Sequence, residues 1–328
     1  MESERLPVVG VRVRDAVTGR WRPPAYPPTP PLFRLFLMTR SQNPSTRKWY
    51  TEALRLLATF GLEREIDVGE PRQLTRPLIA EWINWLFERG GSGPVTVNGR
   101  FRALRAYCNW LVDEEYLPHS PMMYPRPLKA PALPQMIPPT YSRADIQAMR
   151  RLCPPNTWWG ARDWAMLLMA VMAGLRRAEI ARLNWHDIDF NRQLVLVLGK
   201  GSKQRVVNLN DHLIEAVLRY GRFRDPETSV LFQADRRRGG GRLTPNGVYE
   251  ALHGLAKRAG IQGPKLGVHR GRHTFATETL RAGGDLRHLQ AALGHESIQT
   301  TQNYLRGIDS EQAAAEQRRL DAFREWSG

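Results

Sequence analysis

LGHESIQTTQNY, residues 293–304, sets His295 at a Leu-Gly turn and Tyr304 nine residues later, at the end of a short polar helical run. A run of that kind offers no apolar stripe for an aromatic ring, so Tyr304 reads as a residue kept for its hydroxyl. Upstream, His269-Arg-Gly-Arg272-His273 opens another helical segment. Before it, LVLVLGKGSKQRVVNLN at 194–210 reads as two strands around a Gly-Lys-Gly turn carrying Lys200. Before that, an apolar helix from about Trp158 to Met172 stops at Gly174-Leu-Arg176. The segment opens with Ser142-Arg-Ala-Asp145, a capping box using Asp for Glu, and helices resume after Asn210 and after Thr244-Pro245. This half therefore reads as helices around one β-hairpin.

Working outward again, MMYPRPLKAPALPQMIPPTYS at 122–142 is rich in proline, which fixes φ and removes a backbone donor, so the chain there is read as an extended linker. In front of it lie three helical patterns. The first starts near Ser45 as N-cap, with Trp49, Tyr50, Ala53, Leu54, Leu57 and Phe60 apolar and Gly61 as stop. The second spans roughly Pro77 to Glu88 through Ile79, Trp82, Ile83, Leu86 and Phe87, and the third runs from about Val95 to Asp113. Helices of this length packed through those faces make a small all-α domain. Residues 1–30 are irregular and proline-rich, and VVGVRVRDAVTGRW admits either a short hairpin with Thr-Gly at its turn or a disordered arm.

The 328 residues suffice for two domains with separate cores. A formal charge of +16 and a pI near 10.5 predict a protein that gathers polyanions with steep salt dependence. Residues 1–140 hold 19 Lys+Arg against 13 Asp+Glu and residues 141–328 hold 29 against 19, so the excess is spread over both halves, as a clamp on a polyanion requires. Cys108 and Cys153 lie inside apolar helical patterns without metal-ligand spacing and read as buried free thiols of a reducing compartment. With no run of 18 apolar residues and no basic-then-apolar start, no membrane span or signal peptide is expected, and a cytoplasmic, nucleoid-associated protein is.

Two arginines, a lysine, two histidines and a late tyrosine are the parts needed to attack a phosphodiester without a metal. The tyrosine oxygen is then the nucleophile, and guanidinium forks hold the non-bridging oxygens as charge develops on phosphorus. Taken singly, each residue has a plainer reading. Arg176 would be a surface arginine paired with Glu179, His269-x-x-Arg272 ordinary helix surface, and His295 a helix cap. Asp187 and Asp189 in WHDIDF read as a helix-to-strand turn, and no further acidic ligands stand at two-metal spacing, so neither metal nor cofactor is expected.

In order, Gly174-Leu-Arg176, Gly199-Lys200-Gly, His269-x-x-Arg272-His273, Leu293-Gly-His295 and Tyr304 resemble the tyrosine recombinases, the phage integrase and Xer-type family. The resemblance covers most of residues 45–305, with Gly271 standing where the family pattern has leucine. It implies a mainly α protein with a small β-sheet. An N-terminal helical core-binding (SAM-like) domain at 38–122 would follow an extension at 1–37, and a linker at 123–140 would lead to an α+β catalytic domain at 141–308. Arg176 and Arg272 become phosphate clamps, with Glu179 orienting the first. His269 takes proton transfer with the nucleophile, Lys200 is the general acid with Lys203 as rival, and Arg205 and His295 contact phosphate. His273 stays structural and Tyr304 forms a 3′-phosphotyrosine. The implied activity is breaking and rejoining double-stranded DNA at inverted-repeat core sites through a Holliday junction, in a homotetramer, without metal or ATP. The tail at 309–328 packs either on a neighbouring protomer or on its own domain. A type IB topoisomerase and a DNA-binding module without catalysis are the alternatives.

Overall fold

The computed structural model describes residues 13–14, 21–22, 29–40, 43–88, 92–133, 137–199, 203–235, 240–295, 299 and 301–309. The chain divides into two compact units, Met1–Gln135 and Met136–Gly328.

In the first unit β1 (Val13–Arg14) and β2 (Trp21–Arg22) pair antiparallel, as the hairpin reading requires, and the Thr-Gly turn expected between them lies outside the described residues. Four helices follow: α1 (Pro31–Arg40), α2 (Pro44–Glu63), α3 (Arg76–Glu88) and α4 (Pro94–Asp113). Helix α1 falls largely within the stretch read as an extension. Its Phe33 and Phe36 are fully buried and meet Tyr107 edge-on, with ring centroids 4.9 and 5.3 Å away, so the helix is part of the core. Asn43, not Ser45, caps α2, because Pro44 takes the first helical position and the Asn43 side chain accepts from the Thr46 amide. The helix also runs on through Gly61 to Glu63. Trp49 and Phe87 are exposed, contrary to the apolar faces expected for them, and on α3 Trp85 fills the inward position one turn beyond Trp82.

The proline-rich stretch after α4 has neither helix nor strand among its described residues, yet its carbonyls are held. Arg76 donates to the carbonyls of Pro121, Tyr124 and Arg126, Arg105 to Leu128, and Asn98 to Pro131. Prolines leave carbonyls without ladder partners, and side-chain donors from α3 and α4 satisfy them.

In the second unit α5 (Arg143–Arg151) starts at the Ser142–Asp145 capping box, with both reciprocal bonds formed. Helix α6 (Trp158–Val171) is buried along nearly its whole length and packs against α8 (Asp211–Gly221), α9 (Pro245–Arg258) and α10 (Val268–Arg281). Gly271 of α10 lies where α10 crosses α6. A Cβ there would sit 2.9 Å from the Ala170 side chain, so the glycine where the family pattern has leucine permits this close approach. A short helix α7 (Arg177–Arg182) leads to a three-stranded antiparallel sheet, β3 (Ile188–Asp189), β4 (Leu194–Leu198) and β5 (Gln204–Asn208), one strand more than expected. Val195, Val197 and Val207 face the core while Leu196, Leu198 and Val206 are exposed. Helix α11 (Leu286–Leu293) and a helical segment at 301–309 complete the unit. Residues 200–202 of the Lys200 turn and the tail at 310–328 lie outside the described residues. No described helix is long and apolar enough to cross a membrane.

Candidate active site

Helix α11 ends at Gly294, whose left-handed conformation (φ 62°) turns the chain and leaves the last carbonyls of the helix exposed to partners. Three arginines from three different elements take them. Arg205 Nε donates to the Ala292 carbonyl at 2.7 Å, Arg272 Nη2 to Leu293 at 2.6 Å, and Arg176 Nη2 to Gly294 at 2.9 Å. The negative end of a helix dipole favours this gathering of cations. Arg272, 4% exposed, is held again through Nη1 by the Gly174 carbonyl.

Glu179, 5% exposed, lies between two of these guanidiniums. Oε1 accepts from Arg176 Nη1 and Arg205 Nη1, both at 2.9 Å, and Oε2 from Arg205 Nη2 at 2.8 Å and the Arg176 amide at 2.7 Å. Burial alone would raise its carboxyl, but the Arg205 and Arg176 hydrogen bonds hold it below the usual range. The inward course of Arg205 follows from strand alternation. It pairs with Val197 across the sheet and shares the buried face with Val207, so a charge there needs a buried partner. Arg205 is thus a tie between β5, Glu179 and α11.

Three guanidiniums against one carboxylate leave the cluster positively charged. Burial, then the nearby Arg176, lowers Arg272 to about 9, a cost that an anion in the site would relieve. His295 sits beside the cluster and is lowered to about 4 by burial and by Arg272, Arg176 and Arg205. Its Nδ1 lies 2.9 Å from Thr301 Oγ1.

Tyr304 is 4% exposed, because the helical segment carrying it continues to 309 and turns the ring onto Ala276, Leu289 and Leu293. The polar sequence around it gives no hint of this, since the apolar partners come from α10 and α11. Its Oη lies 3.0 Å from His273 Nδ1. Burial raises the phenol, with Arg272 and Arg176 pulling the other way, and burial lowers His273 to about 3, helped by Lys265 and His269. The histidine on the phenol is therefore His273, read as structural from the sequence, and not His269 one turn earlier. Burial and Arg177 lower His269 as well.

Of the residues singled out from the sequence, Arg176, Glu179, Arg205, His269, Arg272, His273, His295 and Tyr304 come together in this one region. Lys203 is exposed at the mouth of the hairpin, where its carbonyl accepts from the Gly199 amide at 2.8 Å, and Lys200 lies outside the described residues. The sequence reading missed Thr301 and the three carbonyls of α11. The carbonyls left no signal, being main-chain atoms, whereas Thr301 stands one turn before Tyr304 and could have been found by that spacing. Asp187 caps its own turn through the Asn184 amide and Asp189 accepts from the Arg192 amide. No cluster of three potential metal ligands occurs among the described residues.

The profile of the phage integrase family matches residues 145–311. A tyrosine recombinase XerC of Xanthomonas axonopodis pv. citri (strain 306) is 34% identical over 273 residues, covering 81% of this chain and 87% of the relative. A tyrosine recombinase XerA of Thermococcus onnurineus (strain NA1) is 34% identical over 218 residues, 66% of this chain and 72% of its own. Among solved structures, the XerH site-specific recombinase bound to palindromic difH substrate in a post-cleavage complex has a TM-score of 0.67 at 20% identity, covering 83% of this chain and 79% of its own. The Tn1549 transposon integrase in complex with transposon right end DNA has a TM-score of 0.66 at 19% identity, covering 89% and 98%. These two share the fold with the present chain.

Proposed function

The chain belongs to the phage integrase family of tyrosine recombinases, and from that premise we propose that it cleaves and rejoins double-stranded DNA at paired inverted-repeat sites through a 3′-phosphotyrosine and a Holliday junction. The observation that carries this reading is the convergence of Arg176 and Arg272 beside Tyr304 in a cluster with excess positive charge. A scissile phosphate there accepts N–H donors from both guanidiniums, whose described bonds leave part of each five-donor fork uncommitted. Glu179 and Arg205 hold Arg176 in place, and His295 donates to a non-bridging oxygen. Tyr304 Oη attacks phosphorus, the bond to the 5′-oxygen breaks, and Lys200 supplies the proton to that leaving oxygen. No step uses a metal, and the covalent link conserves the bond energy that religation needs, so no ATP is consumed.

Two opposed shifts decide when the phenol loses its proton. Burial raises the phenol above its ordinary value while the imidazole it touches is lowered to about 3, so before DNA binds the proton stays on Tyr304 and does not pass to His273. The charge of a phosphodiester between the arginines offsets the positive field that depresses the ring. In this reading His273 parks the phenol until DNA arrives and takes the proton only then, with His269 modulating the field from one turn away. The +16 net charge suits clamping of DNA by both units, the first as core-binding domain, and assembly as a tetramer on paired sites in the cytoplasm at the nucleoid.

The test is Tyr304→Phe on a nicked suicide substrate. The variant is expected to bind DNA as the parent does and to form no covalent adduct on a denaturing gel. An adduct that persists places the nucleophile elsewhere and ends this reading.

A further inference from the structure

His295 is neutral at working pH, held to about 4 by burial and by the guanidiniums around it. A neutral imidazole carries one donor and one acceptor, so its value to an anion depends on which nitrogen holds the proton. The groups facing the ring are Arg272 and His273 from α10, Arg176 and Glu179 at the start of α7, Arg205 from β5 and Tyr304. Its backbone is fixed independently. The His295 amide donates to the Gln290 carbonyl at 3.1 Å, and Gln290 Nε2 donates to the His295 carbonyl at 3.0 Å. What remains free is the ring itself, and Nδ1 meets Thr301 Oγ1 at 2.9 Å, where Thr301 is fully buried.

We propose that Thr301 is a positioning residue whose hydroxyl donates to His295 Nδ1, fixing the Nε2–H tautomer so that the neutral ring presents a donor to the scissile phosphate. The inference rests on the reading of His295 as a phosphate contact and adds what makes that contact attractive. With the opposite tautomer, Nε2 would turn a lone pair toward the phosphate oxygens. Thr301 also lies three residues before Tyr304 on one helical segment, so both face the same way. The His295 and Tyr304 rings are near-parallel, 11° apart with centroids at 6.4 Å, which places the oriented donor and the nucleophile under control of a single turn of helix.

Selective 15N-histidine labelling of the full chain tests the tautomer, with the His295 signals identified by their loss in His295→Gln. Wild type is expected to show an unprotonated Nδ1 and a protonated Nε2, and Thr301→Val, which keeps the shape but removes the donor, a mixture of both forms. On a suicide substrate, Thr301→Val should cleave roughly tenfold to a hundredfold more slowly at pH 7.5, the scale seen when an orienting partner of a functional imidazole is lost, while Thr301→Ser stays near the parent. The deficit should persist unchanged between pH 8 and pH 5.5, because a ring held to about 4 stays neutral across that range and still needs its tautomer fixed. A protonated Nδ1 in the neutral wild-type ring overturns the proposal even if Thr301→Val fails to fold. So does wild-type cleavage by a folded Thr301→Val alongside a slow His295→Gln. If His295→Gln itself cleaves at the parental rate, the phosphate contact is wrong, and that failure is distinguishable because the nitrogen shifts still report the tautomer.

Discussion

Replacing Glu179 with glutamine removes the one carboxylate among three buried or half-buried guanidiniums, and the cost can be worked from its bonds. Glu179 accepts four hydrogen bonds, two on each oxygen. A glutamine keeps one oxygen and turns an NH2 toward donors on the other side, so two charge-assisted bonds are lost at about 1.5–3 kcal/mol each. Breaking a buried ion pair from one side costs a similar 3–5 kcal/mol or so. Against this, the neutral amide escapes the desolvation penalty that burial places on the carboxylate, so the lower end, about 3 kcal/mol, is expected. For a unit of this size that lowers the thermal midpoint by roughly 6–12 °C. Sulfate should raise the midpoint of Glu179→Gln more than that of the parent, because an anion replaces the missing charge. Cleavage on a suicide substrate at 20 °C, below either midpoint, should slow by about a hundredfold as Arg176 loses its orientation. A midpoint within 2 °C of the parent, together with a rate within threefold, would refute the claim that Glu179 holds the clamp.

Arg176→Ala and Arg272→Ala should each slow cleavage by roughly two to four orders of magnitude, the loss of one transition-state donor, with parental cleavage unaffected by EDTA; a strict magnesium requirement would end the metal-free mechanism. If Lys200 protonates the leaving 5′-oxygen, a 5′-bridging phosphorothiolate should restore cleavage by Lys200→Ala, since a thiolate leaves unprotonated, whereas rescue of Lys203→Ala instead would exchange the two assignments. His273 and His295 have folded values of about 3 and about 4, below their ordinary 6.5, so the unfolded chain takes up protons first as pH drops. Their contribution to stability is present above pH 6.5 and lost as pH falls toward 4 and 3, amounting to about 3 kcal/mol in all at pH 5 after allowance for partial exposure. Urea midpoints at pH 8 and pH 5 measure it, and an equal loss in a His273→Gln, His295→Gln double variant would assign it to other groups.

The sequence by itself determined which residue types stand in which order, and local signals sufficed wherever a local rule governs. The Ser142–Asp145 box, the strands on either side of the Lys200 turn and the helix from Trp158 follow from spacing along one element and are present in the fold, while the five ordered motifs carried the family resemblance. Tertiary structure decided what depends on the approach of distant segments. Helix α1 becomes core because Tyr107 meets its phenylalanines, and Gly271 is glycine because Ala170 leaves no room for a Cβ. Arg205 turns from an expected phosphate contact into a tie on Glu179, and Tyr304 packs away from solvent with its phenol on His273 and not His269. The physical reason is the same in each case. A hydrogen bond or a buried face is completed by a partner tens of residues or more away, and neither the α11 carbonyls nor the shape of a packing surface is written in any single stretch of side chains.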